Sequence, residues 1–366
     1  MQTLGDRFWS LLEQNRVFVI FDEIHHCAGG NILTANVWGR QILKNILGKA
    51  MYTLSLTGTP WRSDNAPIAL ANYCEDQIHI HCDHKYGLRT AINDGVCRVP
   101  HITALDNRKI TVTSNDETSV FNSFADLLTE SECTYKDVIE HPKVIERLLT
   151  MTKTKLDELR KSSPDTGGLI VAATVEHAKY IQCSLAKMGE ISAIVNYLEP
   201  YPLSIIERFK YSNDKWIISV GMISEGTNIP RLQVCCYLSL VKTELYFRQV
   251  LGRIMRVHKN TSETGYLFMP AHEKLLEYAQ RISEDIPEQA KVTIETVDAL
   301  TIVHEQEEDL GAILTTPASS RLKKQLTFEN NASESLQKSV ELQTLDYSYH
   351  STINSLGRFS QAIFEL

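Results

Sequence analysis

Short runs of apolar and β-branched residues, each followed by a polar loop, are the feature that most restricts how this chain can fold. Two such runs occupy residues 17–21 and 51–56, and three more occupy residues 168–173, 216–220 and 233–240. Runs of this length, bounded by turn residues, are typical of strands buried on both faces of a parallel sheet. The sequence therefore predicts parallel strands in both halves of the chain.

Segments with helical periodicity alternate with the later runs. One begins at His141, a second extends from Thr174 to about Met188, and a third extends from about Thr243 to Arg256. Strands that alternate with helices along a sequence fold into a parallel sheet covered by helices. The chain is therefore predicted to be an α/β protein.

The length of 366 residues suggests two domains and a remainder, at roughly 150 residues per domain. We predict a first α/β segment over 1–106 and a connector over 107–136, because this stretch turns polar and rich in Ser, Thr and Asn. A second α/β segment follows over 137–284. Residues 285–366 contain six basic and thirteen acidic side chains, and we expect an acidic extension with marginal structure there.

Composition excludes several classes of protein. No apolar run approaches the roughly 20 residues needed to span a bilayer, and the amino terminus lacks the features of a secretory signal. The eight cysteines include no C-x-x-C pair and are expected to be reduced thiols in a cytoplasmic protein without a membrane partner. The net charge of −8 argues against non-specific coating of nucleic acid. However, the first 284 residues carry 31 basic and 32 acidic side chains, so a local basic groove is compatible with the sequence.

Two adjacent carboxylates, Asp22 and Glu23, directly follow the first apolar run. Parallel sheets bind ligands at the carboxyl edge of their strands. There Asp22 could hold Mg²⁺ together with Glu23, and Glu23 could orient and deprotonate an attacking water. The alternative is that the pair only begins a solvated loop, since a dipeptide matches often by chance.

The loop after the next run, residues 56–62, offers Thr57, Gly58 and Thr59 at the same predicted edge. Gly and Pro also mark ordinary turns, so the loop gains significance only from its position after the adjacent strand. A similar loop over 220–230 carries hydroxyls, a glycine and an amide. Its backbone N–H groups could face a phosphate.

The helix predicted at 243–256 has one cationic face. At 100° per residue, Gln249, Arg253 and Arg256 lie within about 60° of one another. Arginines on a helix usually form a solvated face. Here the other faces are apolar, which predicts a buried helix whose arginines point toward an anion. Gly252 lowers helix propensity, and we expect another backbone to approach it closely.

The order and spacing of these segments resemble superfamily 2 DEAD/DEAH-box-type helicases, in the branch of type III restriction-enzyme translocating subunits and phage helicases. The resemblance covers roughly residues 1–275. The matching segments are Asp22-Glu-Ile-His25 for motif II, residues 56–62 for motif III, 168–174 for the motif IV strand, 224–231 for motif V and Gln249-x-x-Gly-Arg253-x-x-Arg256 for motif VI.

The resemblance implies two RecA-like parallel-sheet lobes, the first incomplete, followed by the acidic extension. It implies an ATP-dependent DNA helicase or translocase that uses ATP and Mg²⁺, with DNA as partner and RNA as the alternative. In this family Arg253 and Arg256 would reach the γ-phosphate, assisted by Gln249, and His25 would couple the nucleotide site to motif VI.

Further site residues follow from the same resemblance. ATP binding or coupling is expected of Thr57, Gly58, Thr59, Gly226 and Asn228, the last standing where many relatives have Asp. Nucleic-acid contacts are expected of Thr174, Ser224 and Thr227.

The family's phosphate-binding motif I is absent from the sequence. No G-x-x-x-x-G-K-[ST] occurs, and only 21 residues precede Asp22. Without this loop the β- and γ-phosphates lose their amide cradle and lysine. We expect the carboxyl-terminal portion of a helicase, inactive by itself, with motif I supplied by a separate chain or by a segment lost through truncation, a late start or a split gene. The alternative is a non-catalytic nucleic-acid-binding or regulatory remnant.

Overall fold

The computed structural model of the chain describes residues 6–62, 64–74, 80–114, 117–223, 227–257, 264–286, 290–297 and 300–304. These residues form two compact units. The first comprises the described residues up to Gly87 together with Thr243–Leu245. The second comprises the described residues from Leu88 onward apart from those three.

The first unit contains a small parallel sheet. Its elements are the helices α1 (Asp6–Trp9), α2 (Leu11–Gln14) and α3 (Val37–Asn45), the strands β1 (Phe18–Phe21) and β2 (Tyr52–Ser55), and a 3₁₀ turn at Ile24–His26. β1 and β2 pair in parallel, with Phe18 opposite Tyr52 and Phe21 opposite Ser55. The predicted strands and their parallel direction are thus confirmed.

One face of this two-stranded sheet is exposed. Phe18, Ile20, Tyr52 and Leu54 share that face by their register and are 55, 58, 63 and 41% exposed. The alternate residues Val19 and Phe21 pack on the other side with Ile42 and Ile46. In contrast to the predicted cover on both faces, the described residues place apolar side chains against one face only. We call the exposed set, Phe18, Ile20, Tyr52 and Leu54, the open face.

The second unit begins with a helix and a long strand that the sequence placed in the first segment. Its elements in chain order are α4 (Leu88–Asn93), β3 (Val99–Asn107), β4 (Ile110–Ser114), β5 (Glu117–Phe121), α5 (Phe124–Glu130), α6 (Tyr135–Glu140), α7 (Pro142–Arg160), β6 (Gly167–Ala172), α8 (Val175–Lys187), β7 (Ser192–Asn196), α9 (Pro202–Tyr211), β8 (Trp216–Val220), β9 (Leu232–Leu238), most of α10 (Glu244–Ile254), β10 (Thr264–Pro270), α11 (Glu273–Asp285), β11 (Lys291–Val297) and β12 (Leu300–His304).

A seven-stranded sheet in the order β11-β3-β10-β9-β6-β8-β7 forms the centre of this unit, and all its pairings are parallel. Every residue of β6, β8 and β9 is buried, as expected of strands covered on both faces. The helix α7 packs on β9 and β10, α8 on β7 and β8, and α9 on β7. The predicted α/β class is confirmed, and the helices predicted from His141, Thr174 and Thr243 are present.

The compact units differ from the predicted segments in two places. Residues 99–107 lie in the sheet of the second unit, since β3 pairs with both β10 and β11. Residues 110–130, predicted as connector, form β4, β5 and α5, and Ile110, Phe121 and Phe124 are buried in the main core. The polar composition of this stretch is explained in part by the exposed residues 118–120 of β5.

The predicted acidic extension is partly ordered. β11 completes one edge of the large sheet, and β12 joins β4 and β5 in a three-stranded sheet. The rest of the extension, from residue 305, lies outside the described residues. Among the described residues, no helix has the length and apolar character that a membrane span requires.

Candidate functional site

Asp22 and Glu23 lie at the carboxyl end of β1, as predicted, and both are exposed. Glu23 has φ 55° and ψ 48°, a left-handed conformation that is uncommon for a residue with a side chain. This conformation turns the chain sharply into the 3₁₀ turn that carries His25. Local strain of this kind persists where the surrounding contacts hold it in place.

The His25 side chain is 2% exposed and lies among three oxygen atoms. Its Nδ1 is 2.8 Å from Thr57 Oγ1, 3.3 Å from Thr59 Oγ1 and 3.2 Å from Glu23 Oε2. The Thr57 hydroxyl donates to Thr59 O at 3.1 Å and accepts from Thr59 N at 3.0 Å. When the hydroxyl donates its proton to Thr59 O, Nδ1 is the donor in the contact with His25. The geometry favours the Nδ1–H tautomer, with Glu23 as a second acceptor.

Backbone bonds join the two loops as well. Ile24 N donates to Leu56 O at 3.1 Å, and Leu56 N donates to Phe21 O at 2.8 Å. The structure thus brings Glu23 and His25, after β1, together with Thr57 and Thr59, after β2. A Cβ placed on Gly58 would meet no atom within 4 Å, so the space around this glycine is open.

Arg62 is a residue of this site to which the sequence assigned no role. Its Nη1 donates to His25 O at 2.6 Å, and its Nε and Nη2 bind the two carboxylate oxygens of Asp64 at 2.9 and 2.6 Å. The hydrogen bond from Arg62 lowers the pKa of Asp64. A bidentate arginine–carboxylate pair fixes the guanidinium plane, so Arg62 holds the backbone of the His25 turn. Its position as the last residue of the 56–62 segment is the sequence feature that could have indicated this role.

In the second unit, α10 buries the side chains of Phe247, Val250, Leu251 and Ile254. Gln249 and Arg253 lie one turn apart in α10, but the helix ends at Ile254 and Arg256 forms a β-bridge, so the predicted helical face does not extend to Arg256. The predicted close approach at Gly252 was wrong, because a Cβ there would meet no atom within 4 Å.

Both arginines contact the loop that precedes β9. Arg253 Nη1 donates to Thr227 O at 2.6 Å, and Arg256 Nη1 donates to Asn228 Oδ1. An amide oxygen orients the Arg256 guanidinium without neutralising its charge, as a carboxylate would. The residues predicted from motifs V and VI therefore meet, and the charge of Arg256 is held beside a neutral group.

The predicted nucleic-acid residues are placed in part. Thr174 is the N-cap of α8, where its hydroxyl accepts from His177 N at 3.0 Å, so the side chain has a structural role. The Thr227 hydroxyl is buried without a hydrogen-bond partner among the described residues. Ser224 and Gly226 lie outside the described residues.

Oxygen ligands suitable for Mg²⁺ are present at Asp22 and Glu23. The described residues contain no group of three or more His, Cys, Asp or Glu side chains that could hold a metal. Mg²⁺ usually takes one or two carboxylates and completes its shell with water and substrate phosphates. The pair after β1 therefore fits Mg²⁺ that arrives with a nucleotide better than a permanent metal.

Comparisons with known proteins identify relatives in sequence and a solved structure with a similar fold. No family model matches the chain. It is 32% identical over 276 residues to an uncharacterized protein of Mycobacterium leprae and 31% identical over 276 residues to an uncharacterized protein of Mycobacterium tuberculosis. Each match covers 74% of this chain and 45% of the relative, so the chain spans less than half the length of these relatives.

Among solved structures, the chain is similar to a fragment assigned to the HsdR subunit of a type I restriction enzyme from Vibrio vulnificus. The TM-score is 0.51 with 15% identity, covering 78% of this chain and 50% of that one. At this identity the likeness shows the fold alone. The chain shares the mixed α/β architecture of that fragment and contains a seven-stranded parallel sheet, in agreement with the predicted α/β class.

Proposed function

We propose that this chain is the later portion of a nucleic-acid-dependent ATPase of the superfamily 2 helicase type, which couples ATP hydrolysis to movement on DNA. The observation that carries the proposal is the set of contacts of His25 with Glu23, Thr57 and Thr59. These contacts link the Glu23 carboxylate after β1 to the hydroxyls after β2, as a coupled nucleotide site requires.

The chemistry assigned to the first unit is metal binding and water activation. Asp22 would hold Mg²⁺, with Glu23 nearby, and the ion would neutralise charge on the phosphates. Glu23 would accept a proton from the attacking water. His25 shares its Nδ1 proton between Glu23 and Thr57, so a change at the carboxylate would alter the hydrogen bonds of the motif III loop.

The chemistry assigned to the second unit is charge stabilisation. Arg253 and Arg256 would stabilise the charge that develops on the γ-phosphate, and such a guanidinium can contribute about 10³-fold or more in rate. Gln249 would assist them, and Gly226 and Asn228 would contribute to ATP binding or coupling. Thr174, Ser224 and Thr227 would contact the nucleic-acid strand.

The phosphate cradle has to come from polypeptide outside these 366 residues, because the sequence holds no G-x-x-x-x-G-K-[ST]. The open face supports this part of the proposal. Four apolar side chains of β1 and β2 are 41–63% exposed, and a two-stranded sheet is marginally stable by itself. We propose that a chain or segment carrying motif I pairs with this sheet and covers the open face.

The test begins with the reading frames encoded directly upstream of Met1. A polypeptide from that region that carries motif I is expressed together with the chain to give what we call the completed enzyme. ATP hydrolysis is measured for the chain alone and for the completed enzyme, each with single-stranded DNA, duplex DNA or RNA. We expect at most slow hydrolysis by the chain alone and hydrolysis stimulated by DNA in the completed enzyme.

Other outcomes separate the alternatives. Robust hydrolysis by the 366-residue chain alone would show that motif I is dispensable and would overturn the assignment. Stimulation by RNA but not DNA would change the partner. The absence of any upstream motif I, together with nucleic-acid binding by the chain, would support the non-catalytic remnant.

A further inference from the structure

Arg98 is one of the most deeply buried charged side chains described in the second unit, with 1% of its surface exposed. It lies between the turn after α4 and the first residue of β3. Its Nη1 donates to two backbone carbonyls, Leu232 O at 2.9 Å and Ile254 O at 3.0 Å. Burial lowers the pKa of Arg98 to about 10, so the guanidinium keeps its charge at neutral pH.

The two carbonyls belong to the segments that carry the candidate site. Ile254 is the last residue of α10, between Arg253 and Arg256 in sequence. Leu232 is the first residue of β9, shortly after the loop that holds Thr227 and Asn228. The Arg98 guanidinium thus connects the end of α10 to the start of β9, the strand that follows the Thr227–Asn228 loop.

The backbone around Arg98 strengthens this connection. Arg98 N donates to Met255 O at 2.6 Å, and Cys97 forms an antiparallel bridge with Arg256. On a neighbouring strand, a Cβ on Gly265 would lie 2.9 Å from Ile254 O, so glycine is needed for β10 to pass the helix end this closely. The residues just before β3 therefore fix the position at which α10 stops and Arg256 begins its contact with Asn228.

Electrostatics favours the same arrangement. The carbonyls at the end of a helix have no partners within the helix and carry its negative dipole end. A buried cation that donates to the last of them stabilises that end, whereas a side chain without a donor would leave a buried carbonyl unsatisfied. The interaction holds α10 in register without using any group of the candidate site.

We propose that Arg98 is a positioning residue for Arg253 and Arg256, which sets the register of these arginines against the Thr227–Asn228 loop. This inference rests on the proposed function, because it gives Arg98 an effect on catalysis through the two arginines. Arg98 itself lies away from the reacting atoms. A purely structural role would change the stability of the whole unit and would not act through Arg256.

The first experiment is amide hydrogen exchange on the full 366-residue chain, which requires no nucleotide. The variants are Arg98→Lys, which keeps the charge, and Arg98→Gln, which loses it. The matched control is Arg89→Gln, because Arg89 is an exposed arginine of α4 that donates to a different carbonyl, Asp285 O, at 3.0 Å.

We expect faster exchange in residues 250–257 and 227–233 for both Arg98 variants, with unchanged protection in β6 and β8. Arg89→Gln should leave all these segments unchanged. Uniform loss of protection across the sheet, or failure of both Arg98 variants to fold, would assign Arg98 a purely structural role and overturn the inference.

The second experiment measures ATP hydrolysis in the completed enzyme. We expect Arg98→Lys to lower kcat by about tenfold while KM for ATP stays within about twofold, since the lost interaction belongs to the transition state. In an Arg256→Ala background the same change should lower kcat by a smaller factor, through Arg253 alone, because residues that act through one another are not additive.

The outcomes distinguish the two proposals. If Arg256→Ala leaves kcat unchanged, the proposed function fails, whatever Arg98 does. If Arg256→Ala lowers kcat and Arg98→Lys does not, the proposed function survives and the positioning role is wrong. Equal effects of Arg98→Lys with and without Arg256 would also contradict it.

Discussion

The Nδ1 of His25 lies 2.8 Å from the Thr57 hydroxyl, which joins the turn after one strand to the loop after its neighbour. The hydroxyl also lies 3.1 Å from Thr59 O, and its donation to that oxygen leaves the histidine as the donor in this contact. The hydrogen bond therefore has a direction, from the carboxylate-bearing turn toward the threonine loop. Through this hydrogen-bond network, a change in the charge or position of the Glu23 carboxylate would alter the hydrogen bonds of Thr57 and Thr59.

Thr57→Val tests this network, because valine keeps the shape of threonine and loses the hydroxyl. We expect a net loss of about 1 kcal/mol of stability in the first unit, as for one buried hydrogen bond. In the completed enzyme kcat should fall with ATP affinity nearly unchanged. Thr57→Ser should restore most of the activity, and Thr53→Val, on exposed β2, is the matched control. Normal kcat in Thr57→Val would show that the contact is not part of coupling.

Glu23→Gln is expected to retain nucleotide binding and lose turnover in the completed enzyme. The amide keeps the size of the carboxylate but cannot accept the proton of the attacking water. Binding of a labelled ATP analogue and phosphate release are measured on the same preparation. Equal losses of nucleotide binding and of phosphate release would instead indicate that Glu23 has a structural role in the turn that precedes His25.

Arg256→Ala in the completed enzyme should depress kcat far more than it lowers the melting temperature or nucleic-acid affinity. A guanidinium that meets charge in the transition state contributes to rate and not to ground-state binding. Arg256→Lys should rescue poorly, because lysine keeps the charge without the planar fork that reaches both Asn228 and a phosphate. A kcat within about twofold of the parent, well under 1 kcal/mol of barrier, would contradict the motif VI assignment.

Gly168 is closely surrounded by other atoms and Gly252 is not, so replacing each by alanine should change the stability of the second unit in opposite directions. A Cβ on Gly168 would lie 2.3 Å from a ring carbon of the buried Trp216, so Gly168→Ala should destabilise the second unit by about 1–3 kcal/mol. Gly252 lies in α10 with open space around it, so Gly252→Ala should stabilise by about 0.5–1 kcal/mol. Urea denaturation of both variants measures the difference. Destabilisation by Gly252→Ala would show that the helix needs its glycine.

The stability of the second unit should fall in mild acid. Burial lowers the pKa of His177 from 6.5 to about 4 and, together with nearby lysines, lowers that of His272 to about 4. Between these values the unfolded chain binds more protons than the folded one, so stability rises with pH from about 4 to 6.5 and is lost as pH falls through that window.

Urea denaturation at several pH values measures this dependence, with a loss from the fully buried His177 on the order of 3 kcal/mol at most. The control is His272→Asn. His272 Nδ1 accepts from Lys274 N at 3.2 Å as the N-cap of α11, and asparagine keeps that cap without titrating. The variant should show a shallower pH dependence. If the dependence of stability on pH is unchanged in this variant, His272 binds the same number of protons in the folded and unfolded states.

Local sequence patterns are sufficient to identify the class of the fold and the strand ends that carry polar groups. Apolar runs such as 168–173 and 216–220 bury both faces, and this pattern is local, so it can be recognised without any tertiary contact. The same holds for the apolar face of α10, which follows from helical spacing alone. The pairing of residues after β1 and β2 followed from parallel strand order, which brings consecutive strand ends to one edge.

The boundary between the units and the contacts that hold the arginines depend on long-range pairing in the folded chain. β3 belongs to the second sheet because its partners, β10 and β11, are more than 150 residues away in sequence, and no local pattern records such a pairing. The open face of β1 and β2 is likewise invisible in an apolar run, which looks the same whether it is covered or exposed. Arg98 resembles any surface arginine in the sequence, and its role follows from two carbonyls 134 and 156 residues away that the fold brings to one guanidinium.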